Sequence, residues 1–369
     1  MITTTTRPTT TVDQAEARGI AGAGELVVRP LVDSDAAEWA RYVEASPGAS
    51  LFHHPAWCQT VGRVLGCRPS HLIATRAGET VGLLPLMEID SLLGGRMLVS
   101  VPYGTYGGIL CDDTAAAEEL GAAAARLTEQ RGARVLDMRS AEARVAVFER
   151  VEGYLGFSRE LPLHPNDVPA FLPKRARAAA RQARDRSNVV VRHDSAQLRI
   201  VWRLYCRSMR RIASINYPYR FFDELCTRLG SRAWVSVAWL DDRPVAGTVS
   251  FVFRDTIMPY VLGADERVTC TGAVNLLYWS VMELAVRAGV RRFDYGRSRA
   301  DNKGAVGFKK NQGFKPQELG YQRYVPAGAQ APDLKPSNPR YALARRIWQR
   351  LPLPVTRVCG AWLARSIPG

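Results

Sequence analysis

A long internal repeat constrains this chain more than any other feature. Val27-Val28-Arg29 returns as Val190-Val191-Arg192, and Leu65-Gly66 returns as Leu229-Gly230. HLIATRAGETVGLLPL, residues 71–86, has a counterpart in WVSVAWLDDRPVAGTVSF, residues 234–251, with Gly82 answering Gly247. Further on, RGARVLDMRS (131–140) is answered by AGVRRFDYGRS (288–298). Gly132 pairs with Gly289, Asp137 with Asp294, and Gly156-Phe157 with Gly313-Phe314, each 157 residues later. Anchors that keep their order at a nearly constant offset mark one structural unit used twice.

The element order within the unit follows from its patterning. A strand comes first, then two helical stretches, then an antiparallel meander with turns at Ala77-Gly78-Glu79 and Asp241-Asp242. The third meander strand is expected at Met97–Pro102 in one copy and Thr256–Ala264 in the other. A helix follows in each, Thr114–Arg131 and Ala273–Ala288, and Gly132 and Gly289 stand where a left-handed helix cap belongs. Next come a strand (Val135–Met138, Arg292–Tyr295), a short helix and a last strand opened by Gly-Phe. This order predicts an α+β fold. The units are placed at 25–165 and 166–328, between a polar leader (1–24) read as disordered and a basic amphipathic tail (329–369).

Charge narrows the partners. The net charge is +15, and it is concentrated. KRARAAARQARDR, residues 174–186, holds six Lys/Arg and one Asp, while residues 333–369 hold seven Lys/Arg and one Asp. Eleven of the fifteen surplus charges therefore lie in two short stretches, which favours local anionic partners over a generally basic surface. On a helix, Lys174, Arg177, Arg181 and Arg184 share one face and Ala176, Ala180 and Ala183 another. That suits a linker helix beside the cleft between the units, facing pyrophosphate, a lipid-linked phosphate or RNA, or simply solvent. The tail sets Tyr341, Ile347, Trp348 and Leu351 among Arg340, Arg345, Arg346 and Arg350. This pattern fits a membrane-surface helix or a helix docked on the protein's own core. The seven cysteines have no paired or metal-ligand spacing and read as reduced thiols of a cytoplasmic protein. No metal site and no transmembrane span is expected.

The element order, with a short helix leading into Gly-Phe, resembles the GNAT acyltransferase fold. The tandem copy resembles the FemAB family, and within it the FemAB-like and CelD/BcsL-like proteins found beside polysaccharide-export and exosortase loci. FHHPAW (52–57), VGLLPL (81–86), VPYGTYGGIL (101–110), FDYGRSRADNKGAVGFKKNQGF (293–314) and NPRYALARRIWQRLPLP (338–354) carry the resemblance. It implies two tandem GNAT-like units and N-acyl transfer, with no tightly bound cofactor and with acyl-CoA or aminoacyl-tRNA as donor. The stretch between Arg192 and Val235 has no room for the long helical arm often carried by members that use tRNA, which weighs against tRNA here.

The candidate site gathers in the second copy. Where a GNAT unit's third meander strand and next parallel strand splay apart, the helix that follows presents free N–H groups to an anion. Acetyl-CoA enzymes usually show Q/R-x-x-G-x-G/A at this helix start. Arg267 and Gly272 fit that pattern, whereas Cys270 replaces its first glycine. Arg267, Gly272, Asn275 and Arg297 are therefore the donor-binding candidates. Phe308-Lys309 matches the family's phenylalanine–lysine pair, whose lysine lies near the acyl carbonyl and supports the tetrahedral intermediate. Lys309 is thus the candidate for the oxyanion charge, the alternative being a solvated surface lysine. Asp294 is a base, an orienter of Arg297, or a structural carboxylate paired with Arg297 or Arg139. The first copy has Glu149-Arg150 after Phe148 in the expected matching helix, so it reads as non-catalytic and as the acceptor side. Tyr103 and Tyr106, with Lys174, Arg177 and Arg181, are its acceptor-binding candidates.

The expected activity is acyl or aminoacyl transfer to an amine of a cell-envelope or exopolysaccharide precursor bearing anionic phosphate. It is placed in the cytoplasm or peripherally on the inner membrane face. The alternatives are a tRNA-dependent aminoacyltransferase of peptidoglycan synthesis and a non-catalytic protein that binds a glycan or lipid-linked precursor.

Overall fold

The computed structural model describes residues 24–265, 272–332, 338 and 341–367. The expected leader therefore lies almost wholly outside the described residues, as do Arg267, Cys270 and part of the tail. The second unit's sheet has six strands in the order Ser158–Glu160, Arg292–Asp294, Thr256–Ala264, Arg243–Phe253, Ala233–Leu240, Val190–His193. Neighbours are antiparallel except Thr256–Ala264 with Arg292–Asp294, which are parallel because a helix, Ala273–Arg287, connects them. The expected hairpin turns are present. Ala77 and Gly78, and likewise Asp241 and Asp242, all take positive φ, which matches the right-handed twist of the flanking strands. Gly132 and Gly289 also take positive φ just beyond their helices.

The first unit's sheet is broken in two. Its middle meander strand stops at Leu84 and resumes at Leu86, because Pro85 has no N–H to offer the ladder. One part pairs Leu26–Pro30, Leu72–Arg76, Glu79–Leu84 and Leu110–Cys111. The other includes Leu86–Ser91, Gly95–Ser100 and Leu136–Met138. Ser250 stands in the second copy where Pro85 stands in the first, and the strand Arg243–Phe253 runs through it.

One sequence expectation fails at the end of the first unit. The first copy has no short helix at 147–152, where Glu149–Arg150 is instead a strand. The last strands do not close their own sheets. Ser158–Glu160 crosses over and pairs with Arg292–Asp294, with Ser158 opposite Asp294. Gln322–Tyr324 makes the return crossing and pairs with Leu136–Met138. The exchange leaves Gln322 buried in the first unit, where its amide accepts from the N–H groups of Arg144 and Val145 at 2.9 and 3.2 Å. One apolar core also spans both units. Trp57 of the first lies 5.8 Å from Phe221 and 5.1 Å from Tyr260 of the second, ring centre to ring centre.

The linker helix forms as expected over Lys174–Asp185, with Ala176, Ala180 and Ala183 buried. Its small residues let its backbone press on the start of Ala273–Arg287. A Cβ on Gly272 would fall 2.1 Å from the Ala179 carbonyl oxygen. Among the described residues no helix is long and apolar enough to cross a membrane.

Candidate active site

The parallel strands of the second unit pair only at Thr256–Arg292 and Ile257–Phe293 before they part. Opposite Val249 and Ser250, Tyr260 is one residue too many and bulges from the ladder, which sharpens the divergence. Asp294 is the first residue past the last pair, so its carboxylate stands at the crotch of the fork.

The chain turns at Gly296, whose φ of 63° suits glycine. The carbonyls of Tyr295, Gly296 and Arg297 then converge on one point, occupied by Lys309 Nζ. The ammonium donates to them at 2.8, 3.1 and 3.0 Å. Lys309 is 9% exposed and lies 5.0 Å over the Phe157 ring, at the entry to the exchanged strand. Neither expectation for this residue matches that geometry. It is not solvated, and its three protons are held by backbone, so it braces the fork instead of pointing a free donor at an oxyanion. Burial lowers its pKa to about 8, opposed by the nearby Asp294 charge. Phe308, beside it, is half-buried against Tyr278 and Tyr295, with ring centres 5.9 and 6.1 Å away.

Asp294 is buried, and burial raises its pKa to about 6. One of its oxygens accepts from the Gly296 N–H at 2.7 Å and from the Tyr106 hydroxyl at 3.3 Å. Tyr106 belongs to the first unit, so the carboxylate of one copy is bonded by the glycine-rich loop of the other. Thr105 accepts from the Tyr321 hydroxyl at 2.7 Å. Arg297 is half-buried, with its guanidinium 5.3 Å from the Tyr154 ring and 5.8 Å from the Tyr321 ring. Sequence reading named Asp294, Arg297 and Lys309 in the second copy and Tyr106 in the first. The contact between Tyr106 and Asp294 and the aromatic walls around Arg297 had no local signal, because they depend on how the two units meet.

A recess of about 130 Å³ adjoins the fork on the first-unit side. Tyr106, His53, Ser140, Glu142 and Arg144 line it. His53 is neutral, since burial lowers its pKa to about 4. Its Nδ1 accepts the Ser50 N–H at 3.0 Å, so Nε2 carries the proton toward the Gly108 carbonyl, 3.1 Å away. Tyr106 both lines this recess and donates to Asp294.

Other candidates are placed differently. Tyr103 is buried in the core and its hydroxyl donates to the Ala364 carbonyl at 2.6 Å, so it anchors the tail and does not face an acceptor. The loop glycines serve packing, with Gly104, Gly107 and Gly108 against Phe52, Val101 and Ser140. The press of Ala179 by itself requires glycine at position 272. Val274 and Asn275 remain half-buried at the helix start. Lys174 and Arg181 are exposed on the linker helix, and Arg177 donates to the Pro169 carbonyl at 3.2 Å.

Residues 172–310 match the model of an acetyltransferase (GNAT) domain. This chain has a tandem GNAT fold. The structure of FemX is similar over 81% of this chain and 97% of that one, with a TM-score of 0.62 at 13% identity. A tandem GNAT protein from the clavulanic acid biosynthesis pathway is similar over 82% and 98%, with a TM-score of 0.54 at 14% identity. A conserved protein of unknown function from Bacteroides thetaiotaomicron VPI-5482 is similar over 81% and 99%, with a TM-score of 0.51 at 10% identity. At these identities the likeness is one of fold. The sequence matches none of the curated proteins. The GNAT domain match ends at Lys310, so it covers the fork and its brace but not the return strand Gln322–Tyr324.

Proposed function

We propose that the second GNAT unit transfers an acyl group to an amine at its fork, with Asp294 as the general base. A buried carboxylate at the crotch of a splayed parallel pair, with its pKa raised to about 6, carries this reading. Such a group is ionised at neutral pH and still basic enough to take a proton from an attacking ammonium. The donor is already activated as a thioester or ester, so no enzyme nucleophile is needed. It lies along the parted strands with its anionic end toward Asn275 and the exposed Lys174 and Arg181. Lys309 holds the backbone of residues 295–297 in place.

The acceptor enters from the recess walled by Tyr106. Its polar lining of Ser140, Glu142 and Arg144 suits a hydroxyl-rich amine, such as an amino sugar or a peptide amine of an envelope or exopolysaccharide precursor. Acyl-CoA is the preferred donor. The exposed basic face of the linker helix keeps aminoacyl-tRNA as the second reading. Labelled acyl-CoAs and charged tRNA are offered to the full chain with amino-sugar and peptide amines. Transfer from an acyl-CoA, lowered about 100-fold or more by Asp294→Asn at pH 7, is expected. No transfer from either donor sinks the enzymatic reading and leaves a precursor-binding protein.

A further inference from the structure

The tail docks on the second unit with its small residues inward. Thr356, Gly360 and Ala364 are buried, and a Cβ on Gly360 would meet Asn216 Oδ1 at 2.3 Å. Asn216 donates to the Arg357 carbonyl at 3.2 Å, and Trp348 donates to the Ser214 carbonyl at 3.1 Å. Of the two alternatives open in the sequence, docking on the protein's own core is thus realised. Docking does not hide the apolar residues. On the helix Leu353–Leu363, Val355, Val358 and Trp362 face outward, 41%, 72% and 59% exposed. Arg365 continues their spacing and is exposed too. On the helix Ala342–Arg350, Leu343 and Ile347 are 68% and 52% exposed, with Arg346 and Arg350 exposed on the same face. Five of the thirteen exposed large apolar side chains among the described residues lie between 343 and 362.

We infer that this outer face is a docking surface for an anionic lipid bilayer. Apolar side chains at helical spacing, flanked by arginines, suit the boundary between acyl chains and anionic headgroups. Charge selects this occupant over a second copy of the chain. Residues 334–369 contain seven Lys/Arg and no Asp or Glu, so two copies face to face would set like charge against like. The tail is a plate fixed to the second unit through Asn216 and Trp348 and to the first through Tyr103, and it lays both on the surface. The inference stands whether or not the fork transfers an acyl group.

Flotation of the full chain with vesicles tests it. The chain rises with phosphatidylcholine vesicles containing phosphatidylglycerol and stays behind with phosphatidylcholine alone. Trp362→Glu or Val358→Glu lowers binding about tenfold, and Arg346→Gln and Arg350→Gln lower it about fivefold each. Both apolar positions point outward, so the unfolding temperature is unchanged, and either variant can replace the other if one disturbs docking. Failure of the full chain to float with anionic vesicles overturns the inference, as does flotation of both glutamate variants as complete as the wild type's. A stable dimer that Trp362→Glu dissociates also overturns it and assigns the face to a second copy.

Discussion

In both units a parallel pair parts after two residues, at Leu98 and Val99 in the first and at Thr256 and Ile257 in the second. What fills the gap differs. In the first, Ser100 Oγ accepts the Arg139 N–H at 2.8 Å and the Gly107 N–H donates to the Arg139 carbonyl at 2.8 Å. The gap is laced shut by its own loop, and Asp137 lies 3.3 Å from Arg139. In the second, the equivalent backbone is gathered by Lys309, and Asp294 is left at the crotch with a neutral tyrosine as its side-chain partner. One scaffold is held by its own loop and the other by a buried ammonium. The difference rests on one buried ammonium that the first copy replaces with Glu149 in an exposed strand.

The largest effect expected from breaking this contrast is on the brace. Lys309→Met leaves three carbonyls in a buried site without their donor. Unfilled acceptors of this kind cost about 1–3 kcal/mol each before relaxation, so a net loss of about 3–5 kcal/mol follows. The unfolding temperature falls by about 10 °C. Glu149→Ala at the matching exposed position in the first unit changes stability by less than about 0.5 kcal/mol. Calorimetry on both variants checks the pair. If Lys309→Met keeps wild-type stability and loses only transfer, the lysine serves the reaction and not the backbone.

Asp294 gives a second contrast, of opposite sign. Folding raises this carboxyl's pKa from 3.8 to about 6, because burial disfavours its charge. The folded state therefore holds the proton more tightly than the unfolded chain. The penalty is absent below about pH 4, grows as pH rises and is complete above about pH 6, where it amounts to about 3 kcal/mol. Asp294→Asn is consequently more stable than the wild type at pH 7 and no more stable at pH 4, while its transfer is lost. Denaturant melts at the two pH values measure this. Equal stability of the two proteins at pH 7 removes the strained carboxylate from the mechanism.

The sequence made the unit legible, because each copy checks the other. Glycines 132 and 289 mark helix ends, paired turns mark hairpins, and alternation marks the meander, all of which are local properties. The exchange of Ser158–Glu160 for Gln322–Tyr324 was not legible. A strand's pattern states that it needs a partner, not which sheet supplies one. The site divided along the same line. Lys309 stood out as a difference between copies and Asp294 as a carboxylate both copies share, yet the lysine's role depends on the carbonyls of Tyr295, Gly296 and Arg297 converging. Tyr103 and Tyr106 are three residues apart in one glycine-rich loop, and only the fold sends one to the tail and the other to the fork.

That divergence supplies the finest test. Tyr106→Phe removes one long hydrogen bond to the charged carboxylate, worth about 1 kcal/mol, from a group already disfavoured by burial. Because the bond stabilises the charged form, its loss raises the Asp294 pKa further, and the acid limb of the transfer profile moves to higher pH. Transfer at pH 6 falls about three- to fivefold, while transfer near pH 8 is nearly unchanged. Tyr103→Phe, in the same loop, releases the Ala364 carbonyl and leaves the acid limb where it was. If instead Tyr106→Phe lowers transfer equally at every pH, the tyrosine holds the acceptor in the recess. The first unit then acts on the second through substrate alone, not through the protonation of its carboxylate.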